Sequence, residues 1–431
     1  MRAPQNQTVR GAVLELLLRC EAAGQYANIA LDTALKRADF KGVDRALFTA
    51  LFYAVTEHRI TLDHAIDALS DRKGNEIEPR VRMILRLGLC QLLYFDRIPD
   101  HAAINESVAL APARSRGFVN AVLRSFCRAG KEIRYPDVTE NPIAYLSVRY
   151  SVPEALAEQF CAVFGVRGAE AQLQAFSKPP ELTVRVNTAR LSREAFLQRF
   201  GGTPTEIAPN GVRFSGGEVL REALESGLCF VQDEASQICV EALDAKGARV
   251  LDVCAAPGSK SFGAALNGAC EVHSYDLHEN KISLIRRGAE ILGITNLRAA
   301  AADARCATPE RVGEFSRVLC DVPCSGYGVL WKKPDIRYKD VSLAAGLPAV
   351  QQAILESAAT CVAPGGVLLY STCTLLPAEN EQQVERFLNA NPNFSLTPFS
   401  VGTLQSGGML TLTPATHGTD GFFIAKLQKG L

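Results

Sequence analysis

From about residue 236 onward, the period of the hydrophobic residues switches back and forth between that of a strand and that of a helix. VLDVCAA, EVHSYD, LRAAAAD, RVLCDVP and GVLLYST read as short apolar strands, most of them ending on a polar residue, with helical stretches between. Strands that alternate with helices bury both faces of one sheet, which predicts a parallel, doubly wound α/β sheet of Rossmann-like type. A final strand, GFFIAKL, follows HGTDG and is predicted to run antiparallel. Sheets of this kind gather ligands and catalytic groups at the carboxyl ends of their strands. The residues that close each strand are therefore the candidates for chemistry.

Two other patterns precede this one. Thr8 to about Arg134 carries helical spacing alone. In VRGAVLELLLRCEAAG, Val9, Val13, Leu16 and Leu17 form one stripe that stops at Gly24, and FVNAVLRSFCRAG closes the helical run at Gly130. Strand-like alternation is missing, so residues 1–135 are predicted to be an all-α bundle. RYPDVTENP is a connector punctuated by Pro and Asn. From 136 to 235 a helix (PEALAEQFCAVFG) is followed by short strands (ELTVRVNT, GVRFSG, LCFVQDE), the pattern of a small α+β linker module. The α/β domain then fills 236–431.

With 47% apolar residues each domain has a core to bury, which excludes disorder. The start, MRAPQNQTVR, has no apolar run behind a basic one, and no stretch approaches the ~20 apolar residues of a membrane span. A cytoplasmic protein without membrane contact is expected. Thirteen scattered cysteines fit reduced thiols better than a disulfide framework. No CxxC pair exists and the six histidines fall at no metal-ligand spacing, so no metal is expected. Net charge is zero, but residues 1–135 hold 20 Lys and Arg against 15 Asp and Glu, an excess that permits contact with phosphates.

In VLDVCAAPGSKS an apolar strand runs into small residues, then Pro257 and Gly258, then the start of a helix. Small side chains at Cys254, Ala255, Ala256, Gly258 and Ser259 let the backbone approach a ligand, and the helix start at Lys260 offers free N–H groups. The spacing is neither that of a Walker loop nor that of the G-x-G-x-x-G fingerprint. Asp276, closing EVHSYD, is placed to accept both hydroxyls of an adenosine ribose. Asp303, closing LRAAAAD, is placed for an adenine amino group, and Asp321, closing RVLCD, opens the pocket toward the substrate. Three acidic strand ends in order after such a loop point to a nucleoside cofactor, for which S-adenosylmethionine fits best.

Two thiols stand at further strand ends, Cys324 in DVPCSGYG and Cys373 in LLYSTCTLLP. Thiols beside a methyl donor suggest methyl transfer through a covalent cysteine adduct. C5 of cytosine is a poor nucleophile, but a thiolate added at C6 turns the ring into an enamine that can take a methyl group at C5. The sulfur must be ionised, which asks for a nearby cation such as Lys260. Asp321 is suited to the N3/N4 edge of the base, and the base must be unpaired or flipped out. Just past the first thiol, Trp331 to Tyr338 (WKKPDIRY) interleaves bases with aromatics. That run is either a solvated charge run or a surface for RNA phosphates and stacked bases.

CAAPGSK, DVPCSGYG, KKPDIRY, YSTCT and the closing GTDGFFIAKL resemble the RNA cytosine-5 methyltransferases. RIPDHAAINESVALA and GFVNAVLRSF resemble the NusB helical domain, and the whole is similar to the bacterial 16S rRNA cytosine-5 methyltransferase B family. The resemblance implies a NusB-like RNA-binding bundle, a class I methyltransferase domain, S-adenosylmethionine as cofactor and 16S rRNA as partner. It also implies that Cys373 is the nucleophile and that Cys324 helps release product from the adduct. The loop Cys254 to Lys260, with Asp276, Asp303 and Asp321, would bind the cofactor. Two motifs depart from the family's: PGGK is PGSK here, at Ser259, and TCS is TCT, at Thr374. The rival readings are the same chemistry on tRNA, and a non-catalytic RNA-binding assembly factor on a methyltransferase scaffold. The second would predict a lost thiol or acidic strand end, and all five residues are present.

Overall fold

The computed structural model of the protein describes residues 8–23, 27–37, 40–71, 76–215, 219–339 and 341–431. The chain forms two compact units, residues 1–177 with 330–339, and residues 178–329 with 340–431. Of the stretch 136–235, read above as one module, helices Pro142–Tyr150 and Glu154–Phe176 belong to the first unit, whereas the strands belong to the second together with helices Arg193–Phe200 and Leu220–Glu225.

Among the described residues the first unit contains helices and no strand, from Val9–Ala23 to Glu154–Phe176. Val13, Leu16 and Leu17 of the predicted stripe are buried and Val9 packs at the edge of the core, whereas the predicted stop at Gly24 lies outside the described residues. Helix Pro79–Tyr94 runs through the centre, and every residue from Met83 to Leu92 is buried. That explains a sequence apolar nearly all round. Its one interior charge, Arg86, is tolerated because Asp63 takes it bidentately at 2.7 and 2.8 Å and Glu21 takes the remaining edge at 3.0 Å.

The segment 330–339 belongs to this first unit, and here the RNA-contact reading of WKKPDIRY is corrected. Arg337, 3% exposed, donates to the carbonyls of Tyr150, Glu57 and Leu330. Tyr150 and Glu57 end helices Pro142–Tyr150 and Gly42–Glu57, so the guanidinium satisfies two C-terminal carbonyls and opposes both dipoles. The Tyr338 hydroxyl donates to Glu57 O at 2.6 Å beneath the guanidinium of Arg59, and Trp331 packs edge-on against Phe176. Only Lys332 and Lys333 of the run are exposed. Local composition suggested a wet surface, but tertiary partners turn the run into an internal strap.

The second unit holds two larger sheets. Strands β1 (Leu182–Val186), β2 (Thr203–Pro204), β3 (Gly211–Phe214) and β4 (Cys229–Val231) form an antiparallel sheet in the order β2-β3-β1-β4. The remaining strands are β5 (Arg249–Asp252), β6 (Glu271–Asp276), β7 (Leu297–Ala301), β8 (Phe315–Asp321), β9 (Val362–Thr372), β10 (Phe394–Leu396), β11 (Phe399–Val401), β12 (Leu404–Ser406), β13 (Met409–Leu412) and β14 (Phe422–Lys429). The large sheet runs β10-β14-β9-β8-β5-β6-β7, with β13 also on β14, and β11 and β12 form a separate hairpin. Strands β5 to β9 are parallel, and β14 is antiparallel to β9, as predicted for the last strand.

Both faces of this sheet are covered. Leu251, Val318 and Leu368 pack into one core while their neighbours Val250, Leu319 and Leu369 pack into the other. Two buried faces are why these strands read as unbroken apolar runs. The polar residues of TVRVN tie the small sheet to the large one's helices. Arg185 reaches Glu241 at 2.7 Å and Asn267 at 2.6 Å, and Asn187 donates to the carbonyls of Gly227 and Leu292. From β5 the chain winds outward through β6 and β7, then returns to β8 on the other side. The carboxyl ends of β5 and β8 therefore flank a topological switch point, where a ligand crevice is expected.

Candidate active site

The loop after β5 is stapled to the end of β6. Ala255 N donates to Tyr275 O at 2.7 Å, Gly258 N to Ala255 O at 2.7 Å, and Ala256 N to the Asp276 carboxylate at 3.3 Å. The position that requires glycine is Gly258, which caps helix Ser259–Leu266 with φ +112°; a Cβ there would stand 2.4 Å from the Phe262 ring. Ser259, the departure from the family motif, begins the helix proper, where a side chain is accommodated, and its carbonyl accepts Gln232 Nε2 at 3.1 Å. Burial pushes the Cys254 thiol well up, so this cysteine contributes to the loop as a small neutral group.

Four strand ends carry the predicted polar residues, and the structure joins most of them. Asp276 is buried and also accepts the N–H of His278 at 3.2 Å, with the Lys281 ammonium 3.3 Å away. Asp321 lies between Lys260 Nζ at 2.7 Å and the Ser371 hydroxyl at 2.7 Å. Burial disfavours the charge on Lys260, but the Asp321 carboxylate outweighs it and holds the ammonium above the ordinary lysine range. Asp303 stands apart. Its carboxylate caps the turn Ala304–Cys306 and pairs with Arg305 at 2.6 Å, and the guanidinium holds it below the usual carboxylate range.

The two thiols meet. Cys324 Sγ and Cys373 Sγ are 3.2 Å apart, and the Cys373 N–H points at the Cys324 sulfur at 3.3 Å. Strands β8 and β9 are parallel neighbours, with Asp321 beside Ser371 in the register, so turns leaving their carboxyl ends arrive side by side. Gly328 N donates to Cys373 O at 2.9 Å and Gly421 N to Gly328 O at 2.8 Å, which clamps both turns to the start of β14. Thr374, standing where the family has serine, keeps a hydroxyl that meets Ser325 Oγ at 2.8 Å.

A sequence model described as "16S rRNA methyltransferase RsmB/F" matches residues 241–428, and one of the NusB family matches residues 7–128. A probable ribosomal RNA small subunit methyltransferase B of Bacillus subtilis (strain 168) is 34% identical over 444 residues, covering 98% of this chain and 99% of the relative. The chain belongs to the 16S rRNA methyltransferase RsmB/F family. A second RsmB/F relative, also a probable ribosomal RNA small subunit methyltransferase B, from Synechocystis sp. (strain ATCC 27184 / PCC 6803 / Kazusa), is 35% identical over 94% of this chain and 95% of its own. The crystal structure of PH0851 superposes on this RsmB/F chain with a TM-score of 0.77 at 25% identity, covering all of both chains. Among the described residues, no helix is long and apolar enough to cross a membrane and no group of three or more His, Cys, Asp or Glu could hold a metal.

Sequence reasoning passed over three residues of this RsmB/F site. Glu379 and Gln351 lie far in sequence from the Cys324 turn they support, and no local pattern announces them. Asp252 closes β5 in the very motif quoted, and its place at a strand end was the available signal. Its Oδ2 accepts the Ser261 hydroxyl at 2.6 Å, whereas its buried Oδ1 has no protein partner. Burial pushes this carboxyl up to about 7. The sign follows from linkage. A folded-state pKa above the unfolded one means that the fold prefers the protonated acid, so this contribution is present near pH 4 and lost as pH rises through 7. The stability of the ligand-free protein should therefore fall across that window, by at most about 4 kcal/mol from this group, and the melting temperature with it. Asp252→Asn should flatten the fall in thermal melts at pH 5, 6, 7 and 8. An unchanged slope would show that the group titrates as an ordinary carboxylate.

Proposed function

We propose that the protein transfers a methyl group from S-adenosylmethionine to C5 of a cytidine in 16S rRNA, through a covalent bond between Cys373 and C6 of the base. The observation that carries this reading is the 3.2 Å contact of two thiols at neighbouring strand ends, beside the Lys260–Asp321 pair. When bound, S-adenosylmethionine supplies an electrophilic methyl group. The chain has fitting partners for it. Cys254, Ala255, Ala256, Pro257, Gly258, Ser259 and Lys260 form the loop over the switch point; Asp276 would accept the ribose hydroxyls, and Asp303, here paired with Arg305, would take the adenine amino group on exchanging that partner. The buried, unpartnered Oδ1 of Asp252 suits the donor's ammonium, an orphan acceptor inside the same crevice. The NusB-like bundle is read as a further RNA contact.

The chain's own groups divide the remaining work. Asp321, held by Lys260 and Ser371, presents a carboxylate to the N3/N4 edge of a flipped-out cytosine. The Cys373 sulfur adds to C6, and the electron pair of the C5–C6 bond becomes available at C5. After transfer, a water molecule takes the C5 proton, the C–H electron pair restores the C5–C6 double bond, and the C6–S pair leaves with the Cys373 thiolate. Cys324, in contact with that sulfur, assists its departure.

Two outcomes test this. Cys324→Ala should accumulate a protein–RNA species that survives denaturing gels, because the adduct still forms but is released slowly. Absence of that species would remove the release role. Asp276→Ala should weaken S-adenosylmethionine binding in calorimetry roughly tenfold to hundredfold, the loss of hydrogen bonds to a charged acceptor. An unchanged affinity would place the ribose elsewhere. Bisulfite sequencing of total RNA from cells with and without the protein identifies the cytidine, and a protected position in tRNA instead would move the substrate.

A further inference from the structure

Glu379 is 2% exposed and ends the turn Pro377–Glu379 between β9 and helix Glu381–Ala390. Its Oε2 accepts Ser325 N at 2.9 Å and Gln351 Nε2 at 2.8 Å, while Oε1 is buried without a hydrogen-bond partner. Gln351 Nε2 also donates to Pro323 O at 3.0 Å. The carboxylate and the amide thus grip the turn on both sides of Cys324. A buried carboxylate with one empty oxygen is expensive to keep, and turn support alone would be served by a neutral acceptor.

The thiol pair gives the charge a purpose. Two sulfurs 3.2 Å apart do not both ionise readily, because the second thiolate would form against the first. When one of them ionises, the surrounding groups decide which sulfur bears the charge. Cys324 touches Cys373 and lies within the electrostatic reach of Glu379 and of Tyr370, whose hydroxyl donates to Glu379 O at 2.7 Å. Cys373 interacts with the Lys260 ammonium, which is fixed by Asp321. Its hydrogen bond to Cys373, burial, and the negative charges of Cys373 and Glu379 all push the Cys324 thiol well up.

We infer that Glu379 is a positioning residue that assigns the roles of the two thiols: its carboxylate on the Cys324 side, opposed by Lys260 on the Cys373 side, keeps the shared proton on Cys324 and the charge on Cys373. The inference rests on the reading of Cys373 as the nucleophile. Cys324 then donates its S–H to the Cys373 sulfur before attack and again as that sulfur leaves C6. No bond to carbon is made or broken by Cys324 or Glu379, and the proton stays on Cys324.

Site-resolved alkylation by iodoacetamide, followed by peptide mass spectrometry across pH 6–9, reads the two thiols without RNA or cofactor. In the unaltered protein Cys373 should alkylate at lower pH than Cys324; the reverse order overturns the inference. In Glu379→Gln, which keeps the acceptor oxygen but not the charge, the Cys373-to-Cys324 rate ratio near pH 7 should fall about tenfold, the effect of one pKa unit. In Glu379→Asp the ratio should stay near its original value. An unchanged ratio in the glutamine variant, or an equal fall in both variants, overturns the inference. Failure of the methylation reading looks different: a Cys324→Ala protein that traps no RNA, whatever the alkylation order.

Discussion

Cys373→Ala is expected to abolish methyl transfer to RNA, by at least about three orders of magnitude, and to leave no RNA attached to the protein after denaturation. The magnitude follows from the chemistry: without a sulfur at C6 the C5 carbon has no enamine to draw on, and positioning alone does not replace a covalent step. The partner thiol makes the experiment decisive. Cys324 lies 3.2 Å from Cys373, close enough to take over the attack if the assignment of roles were reversed. A Cys373→Ala protein that still methylates, or still traps RNA, would move the nucleophile to Cys324. The measurement is transfer of labelled methyl groups to RNA, run beside a denaturing gel of the same reaction.

Gly328→Ala should also be damaging, although the added side chain is one methyl group. A Cβ at Gly328 would stand 1.9 Å from Gly421 O and 2.8 Å from Cys373 O. Both are backbone atoms that cannot step aside without moving the start of β14 or the turn that carries Cys373. Overpacking of this kind costs on the order of 1–3 kcal/mol in stability. With Cys373 as the proposed nucleophile, a displacement near 1 Å at its sulfur should cost about a hundredfold in rate. Gly407→Ala serves as the control, because nothing lies within 4 Å of the added carbon there. Thermal melts and methyl-transfer rates of the two variants should separate clearly. A Gly328→Ala protein with the melting temperature and rate of Gly407→Ala would refute the clamp.

The parts of this molecule that were legible in its sequence are those decided by local period and by strand ends. EVHSYD is β6 residue for residue, and its closing Asp276 meets the loop where the doubly wound pattern put it. The antiparallel last strand followed from HGTDG and GFFIAKL. The two thiols could be picked out singly, and their contact follows from parallel pairing of β8 with β9. Less legible were residues whose meaning is tertiary. Arg337 and Tyr338 look like a nucleic-acid surface until the helix ends at Glu57 and Tyr150 are seen to need donors. Glu379 is one of two acids in LPAENEQQ until it is found bonded to Ser325, 54 positions away. Asp303 kept its predicted strand end, but its neighbour Arg305 occupies it, a local pairing that composition does not reveal.

The strap 330–339 sets an order for synthesis. Growing from the N-terminus, the helical unit emerges nearly whole by residue 177, yet Arg337 and Tyr338 are made only after β8. Until then the carbonyls of Glu57 and Tyr150 lack the donors that finish those helices. The amino-terminal unit is thus completed late, by a piece made in the middle of the catalytic sheet. Expressing either half alone by cutting at residue 177 would strand that piece on the wrong fragment.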